Sequence, residues 1–456
     1  MSSSSDYIAV PADVGARTAR VWVGSAARDS VDPANVWLEH APSGARWPVG
    51  QWATWQVPGD AAGSLKYNRI ALSGLQPDTR YPLTLRVGGQ VRATAEVTTL
   101  PVALPPLGAP PFTVLLGSCF CRQQDESGRV GRAFAQLPDG AKPRVKFLVG
   151  DQVYLDSPWY RFVRPHSERG LGSGFLAHYL QTWGQHGDAQ GFNHLLRTGA
   201  NYFCADDHEF WNNAPFPCTF AVNTWTEPGR KAWRSMALAL YRAFQADIPG
   251  RIDVGSFSIR VLDTRVNRAP ERSTFVTAQE MQSLADWVSA LTGPGMLVVG
   301  QPIFATRAGI KGHVADWNLP DFAQYAELCR VLLSSKQSLL VVTGDVHYGR
   351  VATVQLPSGG ELVELISSPM ALVDRSAGGS WHAAPDRFPA EPIPGIKSLP
   401  VTTDVTWKRF SNHFVTIELN DLAGGLSVRV RAWETEPAGG IGAGVLVASR
   451  VLKKVA

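Results

Sequence analysis

The chain has 456 residues, 45% hydrophobic and 18% charged, and its 43 Lys and Arg against 39 Asp and Glu leave a formal net charge of +4. This balance fits a globular protein of two or three domains with enough apolar mass for a core. There is no basic tail or dense Lys/Arg run, so nothing points to nucleic acid, and no apolar run approaches the ~20 residues of a membrane span. The opening MSSSSDYIAVPADVG lacks a basic start, an apolar leader core and a twin-arginine pair. As given, the sequence reads as soluble and cytoplasmic, exported only if a leader was removed. Five cysteines, Cys119, Cys121, Cys204, Cys218 and Cys329, argue by their odd number against a disulfide framework. The 15 Trp fit core and edge packing first, and wide binding surfaces second.

Residues 1–100 read as an all-β module. RTARVWVGS and ANVWLEHA are short runs of β-type residues separated by Pro- and Gly-containing turns. In RIALSGLQPDTRYPLTLRV, Leu75 and Tyr81 flank a Pro-Asp turn, a pattern that resembles the corner of fibronectin type III and related immunoglobulin-like sandwiches. Residues 101–111 are Pro-rich and read as a stiff linker, or as an edge segment packed on the next domain.

From Phe112 to the end, residues 112–456, the grammar changes. The apolar runs FTVLLG, RVKFLVG, NYFCA, SFSIRVLD, MLVVG and SLLVVTG read as strands covered on both faces. Between some of them RKAWRSMALALYRAFQ and TAQEMQSLADWVSAL have helical spacing, the second with Thr277 and Glu280 in capping-box register. Strands alternating with helices predict a layered α/β core behind an N-terminal all-β sandwich. RVATVQL, ELVELISS, HFVTIELN and GLSVRVRAWE make the C-terminal part β-rich. Cys204 and Cys329 fall inside a strand run and a helix run and read as core. Regions 155–200 and 373–410 are Gly/Pro/Trp-rich, weakly periodic, and read as extended loops or insertions, of the kind that shape a substrate site, or equally as disordered or packing elements.

Four of the apolar runs end in polar clusters able to bind metal: Ser118 and Cys119; Asp151 and Tyr154; Asp206, Asp207, His208, Glu209, Asn212 and Asn213; and Asp345 and His347. In α/β sheets the C-terminal strand ends converge on one crevice, so these clusters are expected to meet. Singly, each reads as a turn, a helix start or a core residue. Together, the carboxylates would repel unless cations neutralise them. Oxygen ligands suit hard cations, while a Cys119 thiolate, a Tyr154 phenolate and the His347 imidazole suit a transition metal. A mixed site is therefore expected.

The ordered set SC, GDQVY, DDHEFWNN, LDTR and GDVH resembles the alkaline phosphatase D (PhoD-like) family of calcineurin-like metallophosphoesterases, and the resemblance spans nearly the whole chain. It implies ferric iron and calcium, with manganese, zinc or magnesium as substitutes, and a phosphoester as substrate, monoester or diester. It implies Asp151 as the bridge between metals, Cys119, Tyr154 and His347 at the iron, and Asp207, Asn212 and Asp345 at the harder ion. It implies His208 as proton donor and Arg265 as a partner for a phosphate oxygen. The competing reading is a non-catalytic metal-containing surface or polymer-binding protein. Cys121, two residues from Cys119, reads as structural.

Overall fold

The structure is a computed structural model that describes residues 7–26, 33–60, 63–184, 191–246, 250–309, 312, 316–372, 383–407, 412–435 and 441–455. Eight strands come first: β1 (Tyr7–Val14), β2 (Thr18–Ser25), β3 (Val36–His40), β4 (Ala45–Pro48), β5 (Ala53–Gln56), β6 (Ser64–Ser73), β7 (Arg80–Val87) and β8 (Gln90–Thr98). They pair antiparallel into two four-stranded sheets, β1-β2-β6-β5 and β4-β3-β7-β8. Leu83, Leu85 and Val87 on β7 face inward with the period of two that a half-buried strand requires. The Tyr81 hydroxyl accepts the Gln76 N–H at 2.7 Å and ties the corner beside buried Leu75.

The rest of the chain supplies β9 (Phe112–Gly117), α1 (Arg129–Ala135), β10 (Val145–Val149), α2 (Glu168–Trp183), α3 (Phe192–Leu196), β11 (Ala200–Cys204) and α4 (Glu227–Phe244). Then come β12 (Arg251–Val254), β13 (Phe257–Leu262), α5 (Ala278–Ala290), β14 (Gly295–Val299), α6 (Tyr325–Leu333), β15 (Leu339–Thr343), β16 (Gly349–Gln355) and β17 (Glu361–Ile366). β18 (Arg387–Phe388), β19 (Leu399–Trp407), β20 (His413–Leu422), β21 (Gly425–Glu434) and β22 (Val445–Lys453) complete it.

Two mixed sheets stack, ordered β11-β10-β9-β20-β21-β22 and β12-β13-β14-β15-β17-β16-β19-β18. Within the first, β9, β10 and β11 are parallel; within the second, β13, β14, β15 and β17 are parallel. The continuous apolar runs are explained by their two faces. Val114, Leu116, Phe147 and Val149 meet Ile259, Met296, Val298, Leu340 and Val342 between the sheets. The alternate residues Leu115, Leu148 and Phe203 pack under α2 and α4, while Leu297, Val299 and Val341 pack under α5 and α6. The result is an α/β/β/α layering. No helix among the described residues is long and apolar enough to cross a membrane.

Local signals place the helices. Thr226 caps α4 by accepting the Gly229 N–H at 3.3 Å, and the Thr277–Glu280 capping box of α5 is formed with reciprocal bonds of 3.2 and 2.8 Å. The expectation of loops throughout 155–200 is corrected, because α2 and α3 occupy much of it. Ser167 caps α2, and Leu171, Phe175, Tyr179 and Trp183 form its buried stripe. Gly170, Gly172 and Gly174 obscure that stripe in the sequence. Gly172 packs closely, since a Cβ there would stand 3.0 Å from Pro58 Cδ of the N-terminal sandwich. Region 373–410 is likewise corrected in part by β18 and β19, while 373–382 and 408–410 lie outside the described residues.

The sandwich is bound to the core by Trp22 Nε1 to the Ala243 carbonyl at 2.7 Å and by Tyr202 Oη to Asp13 at 3.0 Å. The Pro-rich segment is pinned to β20 by Leu107 N to Asp421 O at 3.1 Å and Asp421 N to Pro105 O at 2.8 Å.

β10 carries one charged side chain indoors. Lys146 is fully buried and donates to the carbonyls of Thr198 and Gly199. Burial lowers its pKa from 10.5 to about 7, opposed by Glu96. Between those values the unfolded chain binds a proton that the folded chain does not, so stability rises with pH across that window and is lowest below about pH 7. Thermal unfolding followed from pH 7 to 9 is expected to show Lys146→Met losing a slope of up to about 1.4 kcal/mol per pH unit that the parent chain has. Identical slopes would show that Lys146 is not the titrating group.

Candidate metal centre

The C-terminal ends of the parallel strands of both sheets face one another. β9 runs into Ser118 and Cys119, β10 into Gly150 and Asp151, β11 into Asp206 and Asp207, β14 into Gln301, and β15 into Gly344 and Asp345. Short bonds tie these ends together: Cys119 N to Gly150 O at 3.1 Å, Asp345 N to Ser118 Oγ at 3.2 Å, and Gly344 N to Gly300 O at 3.0 Å. The approach is too close for a side chain at either glycine of the two Gly-Asp pairs. A Cβ on Gly150 would lie 2.6 Å from Asp206 Cβ, and one on Gly344 would lie 2.4 Å from Ser118 Cβ.

The backbone is strained here. Positive φ is adopted by Cys119, Asp151, Asn213, Asp345 and His347, and elsewhere among described non-glycine residues only by Asp78 and Arg272. Each such residue costs on the order of 1–3 kcal/mol, and strain of this kind clusters where side chains must be aimed.

Carboxylate oxygens of Asp151, Asp206, Asp207 and Asp345 all lie within 4.8 Å of one another. The Asp206 Oδ2 atom is buried with no hydrogen-bond partner. Burial pushes the Asp151 carboxyl well above its ordinary range; His208 opposes this, while Asp207, Asp206 and Glu209 add to the rise. Burial likewise raises Asp345, reinforced by Asp206, Asp316 and Asp151, and lifts Asp207 to about 6. A cation among these oxygens would remove the repulsion and occupy the unpartnered lone pairs. The donor set therefore fits a hard metal ion.

Around this cluster the structure places the other residues that the motifs single out. Cys119 Sγ lies 3.5 Å from Asp151 Oδ2 and 3.2 Å from Ser368 Oγ, and Tyr154 Oη lies 3.3 Å from the same Asp151 oxygen. Cys119, Tyr154 and Asp151 thus share one side. His347 is half-buried, its N–H donating to Ser368 Oγ at 3.1 Å, and burial together with the nearby His208 lowers its pKa to about 4. Neither Cys119 nor His347 joins a carboxylate or imidazole group as tight as that of the four aspartates among the described residues. Asn212 is half-buried, with its backbone N–H on Asp156 Oδ2 at 2.7 Å. Buried Cys121 has its thiol 3.3 Å from Gln123 Oε1.

His208 is held from three sides. Its N–H donates to Asp151 Oδ1 at 3.2 Å, its Nδ1 lies 2.7 Å from Asp156 Oδ1, and its ring stacks on Tyr154 at 4.1 Å. Burial alone would lower its pKa, but Asp156, Asp207 and Asp151 more than offset this and hold it well above 6.5. It also stands within 4.8 Å of Asp151 and Asp207 oxygens.

Arg265 is only 3% exposed. Its Nε donates to Asp206 Oδ1 at 2.5 Å, and its terminal nitrogens reach the Ala214 carbonyl at 2.8 Å and both Asp316 oxygens. In this geometry its donors face carboxylates, and it balances the cluster's charge.

The sequence counted Asp206 among the metal-capable strand-end residues without giving it a ligand role, and did not single out Asp156, Gln301 or Asp316. The 3-10 turn Asp207–Glu209 brings both Asp206 and Asp207 in, anchored by Glu209, which accepts from the N–H groups of Asp206 and Asp151 at 2.9 Å and of Gln152 at 2.6 Å. Gln301 Nε2 donates to Asp345 Oδ2 at 2.9 Å and steers it.

Compared with solved structures, the chain matches a structure of PhoD with a TM-score of 0.66, over 98% of this chain and 90% of that one. The chain has a PhoD-like fold. Sequence identity to PhoD over that match is 16%, so the likeness is one of fold. No protein-family model matches the sequence, and no curated protein does. The PhoD-like fold accounts for the N-terminal sheets as well as the stacked pair, since the match runs almost end to end.

Proposed function

We propose that the protein is a metal-dependent phosphoesterase that hydrolyses phosphate monoesters or diesters. The observation that carries this reading is the convergence of four aspartates on the strand ends of a PhoD-like fold. Asp151, Asp207 and Asp345, with Asp206 and Asn212, would hold a hard ion such as calcium. Cys119, Tyr154 and His347 would hold or flank an iron-type ion, with Asp151 between the two. When bound, such ions supply Lewis-acid charge to phosphate oxygens and lower the pKa of attacking water.

The chain's own residues do the rest. Asp156 holds the His208 ring through Nδ1 and favours its protonated form, which leaves Nε2 to deliver a proton to the leaving oxygen. Arg265 and Gln301 hold Asp206 and Asp345 in position. Cys119 Sγ is fixed by Ser368.

Turnover of bis(4-nitrophenyl) phosphate, 4-nitrophenyl phosphate and an alkyl phosphodiester tests the proposal. Activity on at least one, abolished by chelator and restored by metal, is expected. In His208→Gln the alkyl ester is expected to lose about 10²–10⁴-fold in kcat, and the nitrophenyl esters, whose leaving groups need no proton, far less. Equal losses on both, with metal content reduced, would make His208 a ligand instead of an acid. Metal binding without turnover on any ester would favour the non-catalytic surface-binding reading.

A further inference from the structure

Large aromatic side chains normally retreat from water, and this protein buries most of its own. Two loops beside the metal centre do the opposite. Trp159 and Tyr160 are 58% and 63% exposed, and Phe220 and Trp225 are 52% and 58% exposed. Val163, on the first of these loops, is 45% exposed.

These residues are held in place by the loops that carry them. Trp159 meets Phe220 at 5.2 Å, Val222 N donates to Phe162 O at 3.0 Å, and the Asn223 side chain bridges both backbone groups of His166. Trp225 Nε1 donates to the Cys218 carbonyl at 2.9 Å. The first loop leaves the site directly: Asp156, three residues before Trp159, is the partner of His208.

Charge decides what such a ridge faces. No acidic residue lies between Asp156 and Glu168, or between Glu209 and Glu227, while Arg161 and Arg164 are exposed among the aromatics. A second copy of the same face would oppose arginine to arginine. A sugar would want a flat ring face, but Trp159 and Phe220 are tilted by 52° into a ridge. Aromatic side chains with an apolar body and a polar edge, interleaved with arginine, suit the boundary between lipid and water, where the surface is anionic.

We infer that this ridge docks the protein on an anionic lipid surface. Because the ridge adjoins the metal centre, docking would present headgroup phosphoesters to it. That second step rests on the phosphoesterase reading, whereas docking itself does not.

Co-sedimentation with phosphatidylcholine vesicles, with and without phosphatidylglycerol, tests the inference. The parent chain is expected to bind the vesicles containing phosphatidylglycerol. Trp159→Ala combined with Phe220→Ala is expected to weaken that binding at least about tenfold by removing the buried apolar area. Arg161→Gln with Arg164→Gln is expected to remove the preference for anionic vesicles. Should the aromatic double variant not fold, Tyr160→Ser reads the same face at a more exposed position. Failure of the parent chain to sediment, unchanged binding in these variants, or equal competition by a soluble polyanion would overturn docking. Vesicle binding without hydrolysis of any phosphoester would leave docking standing and sink the phosphoesterase reading alone.

Discussion

Replacing Asp151 by asparagine is expected to lower kcat/KM on a phosphodiester by at least about a thousandfold, which corresponds to about 4 kcal/mol of transition-state stabilisation. The site explains the size. Asp151 and Asp207 belong to both close groups of metal-type side chains, and the two Asp151 oxygens face Cys119 and Tyr154 on one side and the His208 backbone on the other. The same substitution is expected to raise the melting temperature of the metal-free protein. It removes a buried carboxylate whose repulsion adds to the rise that burial gives Asp345, and asparagine keeps an oxygen for the His208 N–H. Calorimetry with and without metal separates the two effects. A metal-free variant less stable than its parent would show that Asp151 is there for packing.

Replacing Arg265 by methionine is expected to destabilise the fold by about 3–5 kcal/mol, because it leaves Asp206 as a buried charge without its cation and takes from half-buried Asp316 its closer arginine. Denaturant unfolding with an unchanged m-value reads this directly. A phosphate-contacting arginine would behave differently: the variant would keep its stability and lose KM or kcat. Arg268, 3.5 Å from Asp316, and Gln301, whose Nε2 donates to Asp316 Oδ2, stay beside that carboxylate, but the donors of Arg268 also reach the Trp317 carbonyl and Gln301. Arg268 is too committed to replace Arg265.

The contrast between these residues shows what sequence reading can and cannot reach. The Gly-Asp pairs were legible because an apolar run ending in glycine and aspartate has a physical reason: Gly150 and Gly344 let neighbouring strand ends approach within van der Waals contact. The capping box at Thr277 and the two-faced strands were legible for equally local reasons. Helix α2 was not, because three glycines lie among the residues of its buried stripe, and of these Gly172 packs against Pro58, far away in sequence. Asp316 was invisible for a related reason. It comes from a loop with no periodicity, and only the fold brings it to Arg265. Asp206 was legible as a metal-capable residue, but the resemblance gave a ligand role to Asp207 alone of the pair, and only the fold shows the turn that brings both in.

The proposed chemistry stands or falls with the four-aspartate cluster as a metal site. Elemental mass spectrometry of the purified chain, beside Asp151→Asn, decides whether it is one. At least one ion per parent chain is expected, iron or calcium foremost, with its loss in the variant. A parent chain that takes up no iron, calcium, manganese, zinc or magnesium even after reconstitution would refute the metal site and the hydrolysis built on it.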